Sequence, residues 1–191
     1  MYQGPREYSI LKDVISLMLL EERQITGCPP YTIDAAKQYI ATLETEKGAI
    51  VIQLFPDKAP FAVNSFVYLA RNGFYNDITF HRVVQGYLAQ TGDPSGTGYG
   101  GPGYAFPNEI TDSLKFDSPG VVGMANAGPD TNGSQFFITM VPMSDLNGEY
   151  TVFGKVIQGM EVVRSLSERD LSQGTTIAKG DKIYQVIVEV K

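Results

Sequence analysis

Phe80-His81-Arg82-Val83-Val84-Gln85-Gly86-Tyr87-Leu88-Ala89-Gln90-Thr91-Gly92-Asp93 reads as two short strands joined by a glycine turn. It brings one arginine, one histidine, an aromatic and a glutamine into a single local unit. Met124-Ala125-Asn126-Ala127-Gly128-Pro129, running on to Asn132-Gly133-Ser134-Gln135-Phe136-Phe137-Ile138, offers a second strand–loop–strand unit of the same kind.

Outward from these units the chain keeps a β rhythm. Tyr39–Thr45 and Ile50–Phe55 flank Glu46-Lys47-Gly48, a hairpin signal. Further strand runs fall at Ile78–Val83, Tyr87–Thr91, Gly120–Asn126, Gln135–Met140, Thr151–Ile157 and Ile183–Val190. Pro60 opens a helix whose stripe is Val63, Phe66, Val67 and Ala70, and Asn72-Gly73 stops it. A short helix over Met160–Ser167 precedes the last strand. Eight strands and two helices suit a closed antiparallel β-barrel capped by helices, which leaves no sheet edge exposed.

The composition excludes whole classes of function. The 191 residues are enough for one full domain with an extension, and 43% hydrophobic with 19% charged residues is ordinary globular composition. A net charge of −6 argues against nucleic-acid binding. No run approaches the roughly 18 apolar residues of a membrane span. Cys28 is the only cysteine and His81 the only histidine. No internal disulfide, cysteine zinc site or multi-histidine metal site can form, and a Ser-His-Asp mechanism would have to run through His81. The chemistry is therefore expected to need little proton transfer and no cofactor.

The first thirty residues read as an extension to a domain at 31–191. An amphipathic helix is expected from about Tyr8 to Gln24, with Leu11, Val14, Ile15 and Met18 on one face, and Gly27, Pro29 and Pro30 mark a linker. Ile25-Thr26-Gly27-Cys28 also looks like the cleavage box of an exported lipoprotein. The charges of Glu21-Glu22-Arg23 between the apolar run and that box argue against it, so a cytoplasmic location is expected. Gly92–Tyr104 holds six glycines and two prolines. Its GxGxxG at Gly96, Gly98 and Gly101 lacks the following helix that a dinucleotide site requires. These glycines read instead as backbone that turns tightly and lies close to a bound peptide.

From Thr32 to Lys191 the two motif units resemble the cyclophilin family of peptidyl-prolyl cis-trans isomerases, the bacterial members in particular through Tyr150. The resemblance implies a barrel of the cyclophilin type and a rotation chemistry that the residues can be tested against. An Xaa–Pro amide is held planar with a barrier of about 18–20 kcal/mol. In the twisted state the proline nitrogen is pyramidal and its lone pair accepts a hydrogen bond. A cation whose N–H donors are aimed at that nitrogen stabilises the twisted state selectively. Arg82 is the arginine available, and it stays charged at any relevant pH.

By resemblance, Tyr87, Leu88, Phe137 and Leu146 line the prolyl slot and Gln90 and Asn126 hold the peptide backbone. Gln135 lies nearby, Ala125 at the floor, and Ala127, Thr131 and Ser134 border a shallower recess for residues before the proline. On strand alternation alone Phe137 suits core as well as pocket. His81 is expected to orient or pack against the substrate region rather than act as a base. Asp145 stands where many members carry an aromatic associated with cyclosporin binding, so weak cyclosporin affinity is expected. The implied partners are proline-containing peptides and unfolded or folding proteins, and a peptide-binding module without turnover is the alternative. Arg82, whose loss would mark that alternative, is present.

Overall fold

The computed structural model describes Met18, Glu21, residues 23–170 and residues 180–191. The expected N-terminal helix over 8–24 lies almost wholly outside the described residues; within it, Met18 and Glu21 have helical conformation. Eight strands follow: β1 Tyr39–Thr45, β2 Gly48–Leu54, β3 Arg82–Val84, β4 Leu88–Thr91, β5 Val121–Met124, β6 Phe136–Thr139, β7 Val152–Gln158 and β8 Ile183–Val190. Helix α1 spans Pro60–Arg71 and helix α2 Met160–Ser165.

The strands form one antiparallel sheet in the order β3-β4-β6-β5-β7-β2-β1-β8. Alternation decides which face each residue takes. In β1 the buried residues are Tyr39, Ala41, Leu43 and Thr45, every second position of the strand. The β1–β2 hairpin is tied by Thr45, whose hydroxyl donates to the Gly48 carbonyl at 2.7 Å and accepts from the Lys47 N–H at 3.1 Å.

The sheet curls into a half-barrel instead of closing through a β3–β8 ladder. The expected strand Ile78–Val83 divides. Its first half turns towards the start of β8, with Thr79 bridged to Lys182 and the Phe80 N–H on the Asp181 carbonyl at 2.9 Å. Its second half, from Arg82, pairs with β4. One strand cannot serve both partners over its whole length, and closure is confined to that bridge.

Helix α1 fills the hollow of the curl. Pro60 occupies its first turn, where a missing N–H is harmless. The Glu109 carboxylate accepts from the Phe61 and Ala62 N–H groups at 2.9 and 2.8 Å, taking the place of a local cap. Its buried face includes the expected Val63, Phe66, Val67 and Ala70, joined by Ala62 and Leu69. The Phe66 ring lies 5.5 Å from both Phe136 of β6 and Phe153 of β7, and 5.2 Å from Tyr75. Each such fully buried ring stabilises the fold by roughly 2–3 kcal/mol. With this core on the concave side, the outer face of β4, β5 and β6 is left to build something else.

Candidate active site

A second apolar cluster lies on that outer face: Leu88, Phe116, Val121, Phe137, Met143 and Val152. Phe136 and Ile138 belong to the inner core, and Phe137 between them points the other way. Alternation thus resolves the ambiguity of the Phe136-Phe137 pair. Leu146, on a 3-10 turn at Ser144–Leu146, and Tyr150 pack against this cluster. Phe137 is held between two rings: Phe116 stacks on it at 5.5 Å and 20°, and Tyr150 meets it edge-on at 5.7 Å and 88°.

The strand register places the polar members beside this cluster. Arg82 is opposite Gln90, Gln90 is opposite Phe137, and Phe137 is opposite Gly123. Directly opposed residues project to the same face with Cβ atoms about 4.5–5.5 Å apart. Arginine, glutamine and aromatic therefore form one row across three strands. Arg82 is half-buried, and its side chain makes no hydrogen bond or ion pair among the described residues. Tyr87, which follows the turn at Gly86, is 37% exposed at the end of the β3–β4 hairpin.

From the row runs a half-buried polar chain. Gln90 Nε2 donates to Gln135 Oε1 at 2.9 Å, and Gln135 Nε2 donates to the carbonyls of Gly98 and Gly100 at 2.9 and 2.8 Å. Gln135 thus braces Gln90 against the glycine-rich loop. That loop is wrapped around Asp93, which is fully buried. Its carboxylate accepts from the N–H groups of Ser95 (2.7 Å), Thr97 (2.9 Å) and Gly98 (2.6 Å) and from the Ser95 hydroxyl at 2.7 Å. Burial alone would raise the Asp93 pKa, but these hydrogen bonds outweigh it and hold the carboxyl below its ordinary value.

A recess of about 710 Å³ opens next to the row, lined by Gln90, Ala125, Asn126, Ala127, Thr131 and Gln135 among others, and by the loop from Gly98 to Ala105. Ser134 also lines it. The Asn126 side chain is committed to the loop: its amide nitrogen donates to the Glu149 carbonyl at 3.3 Å and its oxygen accepts from the Gly128 N–H at 3.2 Å. The Asn126 main chain, rather than its amide, is what can meet a peptide. Thr131 accepts from the Ala127 N–H at 2.8 Å and shapes the same rim.

His81 lies behind the surface and is 1% exposed. Its Nδ1 has no hydrogen-bond partner among the described residues. Burial lowers its pKa to about 4; the Asp93 carboxylate opposes this, while Arg169 and Arg82 add to it. It is neutral at physiological pH.

Sequence reasoning missed Phe116, Asp93 and Gln24. Phe116 comes from a polar stretch with no periodicity. The available signal was Gly123, alone in an apolar strand, since such a glycine marks close approach. A Cβ there would lie 2.7 Å from the Phe116 ring and 2.9 Å from the Phe137 ring. Asp93-Pro94-Ser95-Gly96 carried an aspartate-turn signal. Gln24 lines the recess from far upstream, and nothing local pointed to it.

The chain is similar to a set of known proteins. Residues 40–188 match the family model for cyclophilin type peptidyl-prolyl cis-trans isomerase/CLD. A mouse peptidylprolyl isomerase domain and WD repeat-containing protein is 47% identical over 148 residues, 76% of this chain and 22% of that one. The chain spans about a fifth of the length of that relative. A Helicobacter pylori peptidyl-prolyl cis-trans isomerase is 43% identical over 147 residues, 76% of this chain and 90% of its own. The crystal structure of a Cryptosporidium parvum cyclophilin type peptidyl-prolyl cis-trans isomerase superposes with a TM-score of 0.73 at 36% identity, covering 80% of this chain and 98% of that one. The crystal structure of the same protein in the presence of the dipeptide Ala-Pro gives a TM-score of 0.72, also at 36% identity, covering 78% and 98%.

The buried histidine has a consequence for stability. Its folded pKa of about 4 lies below that of an unfolded histidine, so the unfolded chain binds the proton first as pH falls. The stabilising contribution is full above about pH 6.5 and is lost as pH drops through that window towards 4, in total on the order of 3 kcal/mol. Denaturant unfolding at pH 7 and pH 4.5 should show wild type losing about 2 kcal/mol more than His81→Gln. Equal losses in the two proteins, or a histidine ring titrating above pH 6 by NMR, would contradict this placement.

Proposed function

The chain belongs to the cyclophilin-type peptidyl-prolyl cis-trans isomerase family, and on that premise we propose that it rotates Xaa–Pro bonds in peptides and in folding proteins, with Arg82 as the catalytic residue. The observation that carries the assignment is the row Arg82–Gln90–Phe137 across β3, β4 and β6. A prolyl ring packed on Phe137, with Leu88, Leu146 and Tyr87 around it, lies two strand spacings from the arginine, roughly 10 Å. The guanidinium reaches across that interval, over Gln90, towards the prolyl nitrogen.

Selective stabilisation then follows from the chemistry of the amide. The planar ground state offers the nitrogen lone pair to the carbonyl, leaving it a poor acceptor. As the bond twists the lone pair localises, and donors already in position gain a hydrogen bond that the ground state lacked. Gln90 and the Asn126 main chain grip the residue before the proline so that the rotation is confined to one bond. Bringing a step of tens of seconds to milliseconds requires about 5–7 kcal/mol. One preorganised charged donor in a partly desolvated slot supplies about 3–4 kcal/mol, with orientation and desolvation providing the rest. No proton moves, which agrees with a neutral, buried His81.

The domain doing this work is taken as 31–191, with 1–30 as its extension. The charges over Glu21–Arg23 support a cytoplasmic location over export through a lipidated Cys28. No helix among the described residues is long and apolar enough to cross a membrane. Asp145 is exposed on the turn that carries Leu146. An acidic group there offers no apolar or ring contact to cyclosporin, and weak affinity follows. Asp145→Trp should tighten cyclosporin inhibition at least tenfold, a change of about 1.4 kcal/mol; unchanged inhibition would remove position 145 from the explanation.

Arg82→Ala should lower kcat/KM on an Ala-Pro peptide by about 10²–10³-fold. Its unfolding stability should stay within about 0.5 kcal/mol of wild type, because a half-buried side chain with no hydrogen bond or ion pair among the described residues contributes little to stability. NMR exchange between cis and trans peptide signals measures the rate directly. A loss under fivefold in a folded variant would overturn the assigned role, and wild-type protein that binds the peptide without accelerating exchange would make it a binding module.

A further inference from the structure

The segment 23–32 runs as a strap along the outside of the recess. Arg23 Nη1 donates to the Phe74 carbonyl at 2.8 Å, and the Ile25 N–H donates to the Pro102 carbonyl at 2.8 Å. The Ile25 side chain packs against the main core. Further on, Asn64 of α1 accepts from the Thr32 N–H at 2.8 Å and donates to the Pro30 carbonyl at 3.1 Å. The strap is thus fastened at both ends, with Gln24 near the first fastening.

Gln24 lies against the wall of the recess. Its Nε2 donates to the Gly101 carbonyl at 3.0 Å, and its side chain joins the lining. The wall was shaped to receive it. Gly103 has φ +91°, and the Cβ it lacks would lie 2.5 Å from Gln24 Oε1 and 3.0 Å from the Ile25 carbonyl oxygen. A side chain at 103 would be strained in itself and would push the strap away. Tyr99 of the same loop also lines the recess and is 96% exposed, an aromatic presented to whatever enters.

The chemistry of the lining is specific. Among the described residues it contains amides, hydroxyls, main-chain groups and two tyrosines, but no Asp, Glu, Lys, Arg or His. Such a surface satisfies an uncharged hydrogen-bonding side chain and leaves a charged one without a counter-ion as it loses water.

We propose that the strap is a specificity element of the isomerase. Gln24, with the wall it braces, selects the side chain two or three residues before the proline and favours neutral amide or hydroxyl side chains over charged ones. This rests on the isomerase reading above and adds to it a determinant from outside the matched family region, which begins at residue 40.

The test is kcat and KM for peptides of the form Ala-Xaa-Ala-Pro-Phe, with Xaa as Gln, Gly, Glu or Lys. Wild type, Gln24→Ala and Gly103→Ala are compared, each checked for an intact unfolding transition. Gln24 is exposed, so its replacement leaves the fold in place even if Gly103→Ala does not. Wild type should prefer Gln to Glu and to Lys at Xaa by at least tenfold. In both variants that preference should fall at least fivefold, through KM, with the Gly peptide affected least. Ratios unchanged by Gln24→Ala, or an equal loss on every peptide, would overturn the proposal. Wild type that isomerises none of the peptides would overturn the isomerase reading, and this proposal with it.

Discussion

The register of β3, β4 and β6 is the constraint on which the site depends. A three-residue loop, Gln85-Gly86-Tyr87, sets Arg82 opposite Gln90, and the β4–β6 ladder sets Gln90 opposite Phe137. Side chains alternate with a period of two, so a slip of one residue would send Arg82 into the core and Val83 to the surface. The inner face excludes that slip. Val83, Ala89, Phe136 and Ile138 all belong to the core packed on α1, and none could be replaced there by an arginine or a glutamine. The core that stabilises the fold therefore also determines which residues share the outer face. The alignment of Arg82, Gln90 and Phe137 follows from hydrophobic packing on the other side of the same sheet.

Register places the site residues, and a polar chain keeps them still. Asp93 is buried with its charge satisfied by the main-chain N–H groups of Ser95, Thr97 and Gly98, which orders the glycine-rich loop around it. That loop presents the Gly98 and Gly100 carbonyls to Gln135, and Gln135 in turn holds Gln90. Such chains carry high stakes in a low-dielectric interior, because every member left unpaired is costly. Phe137 is constrained in the same spirit by apolar means, between Phe116 and Tyr150. Preorganisation of this kind lets one donor act selectively on a transition state, since little reorganisation is needed when the bond twists.

Much of this is legible in the sequence. Strand-like runs locate seven of the eight strands to within about two residues, the run at Ile78–Val83 meeting β3 only at Arg82 and Val83, and Pro60 with Asn72-Gly73 bounds the main helix nearly to the residue. The fate of Ile78–Val83 was not legible, because alternation does not say that one run divides its hydrogen bonds between two partners. Full closure was over-read for that reason. Phe137 and Phe136 could not be told apart until the core showed which face it occupied. Phe116 and Gln24 join the site from distant segments without periodicity, and only tertiary contact reveals them. His81 carried a motif but not its depth, and its burial is a property of the packed fold.

Arg82→Lys, followed by NMR cis–trans exchange on an Ala-Pro peptide, separates directed N–H donation from charge alone. A lysine keeps the charge at this position but replaces a rigid planar fork with a single, mobile ammonium. If catalysis comes from donors held in line with the twisting nitrogen, exchange should fall at least tenfold with the fold and peptide affinity retained. A lysine enzyme within threefold of wild type would contradict that, and would make the local positive field sufficient.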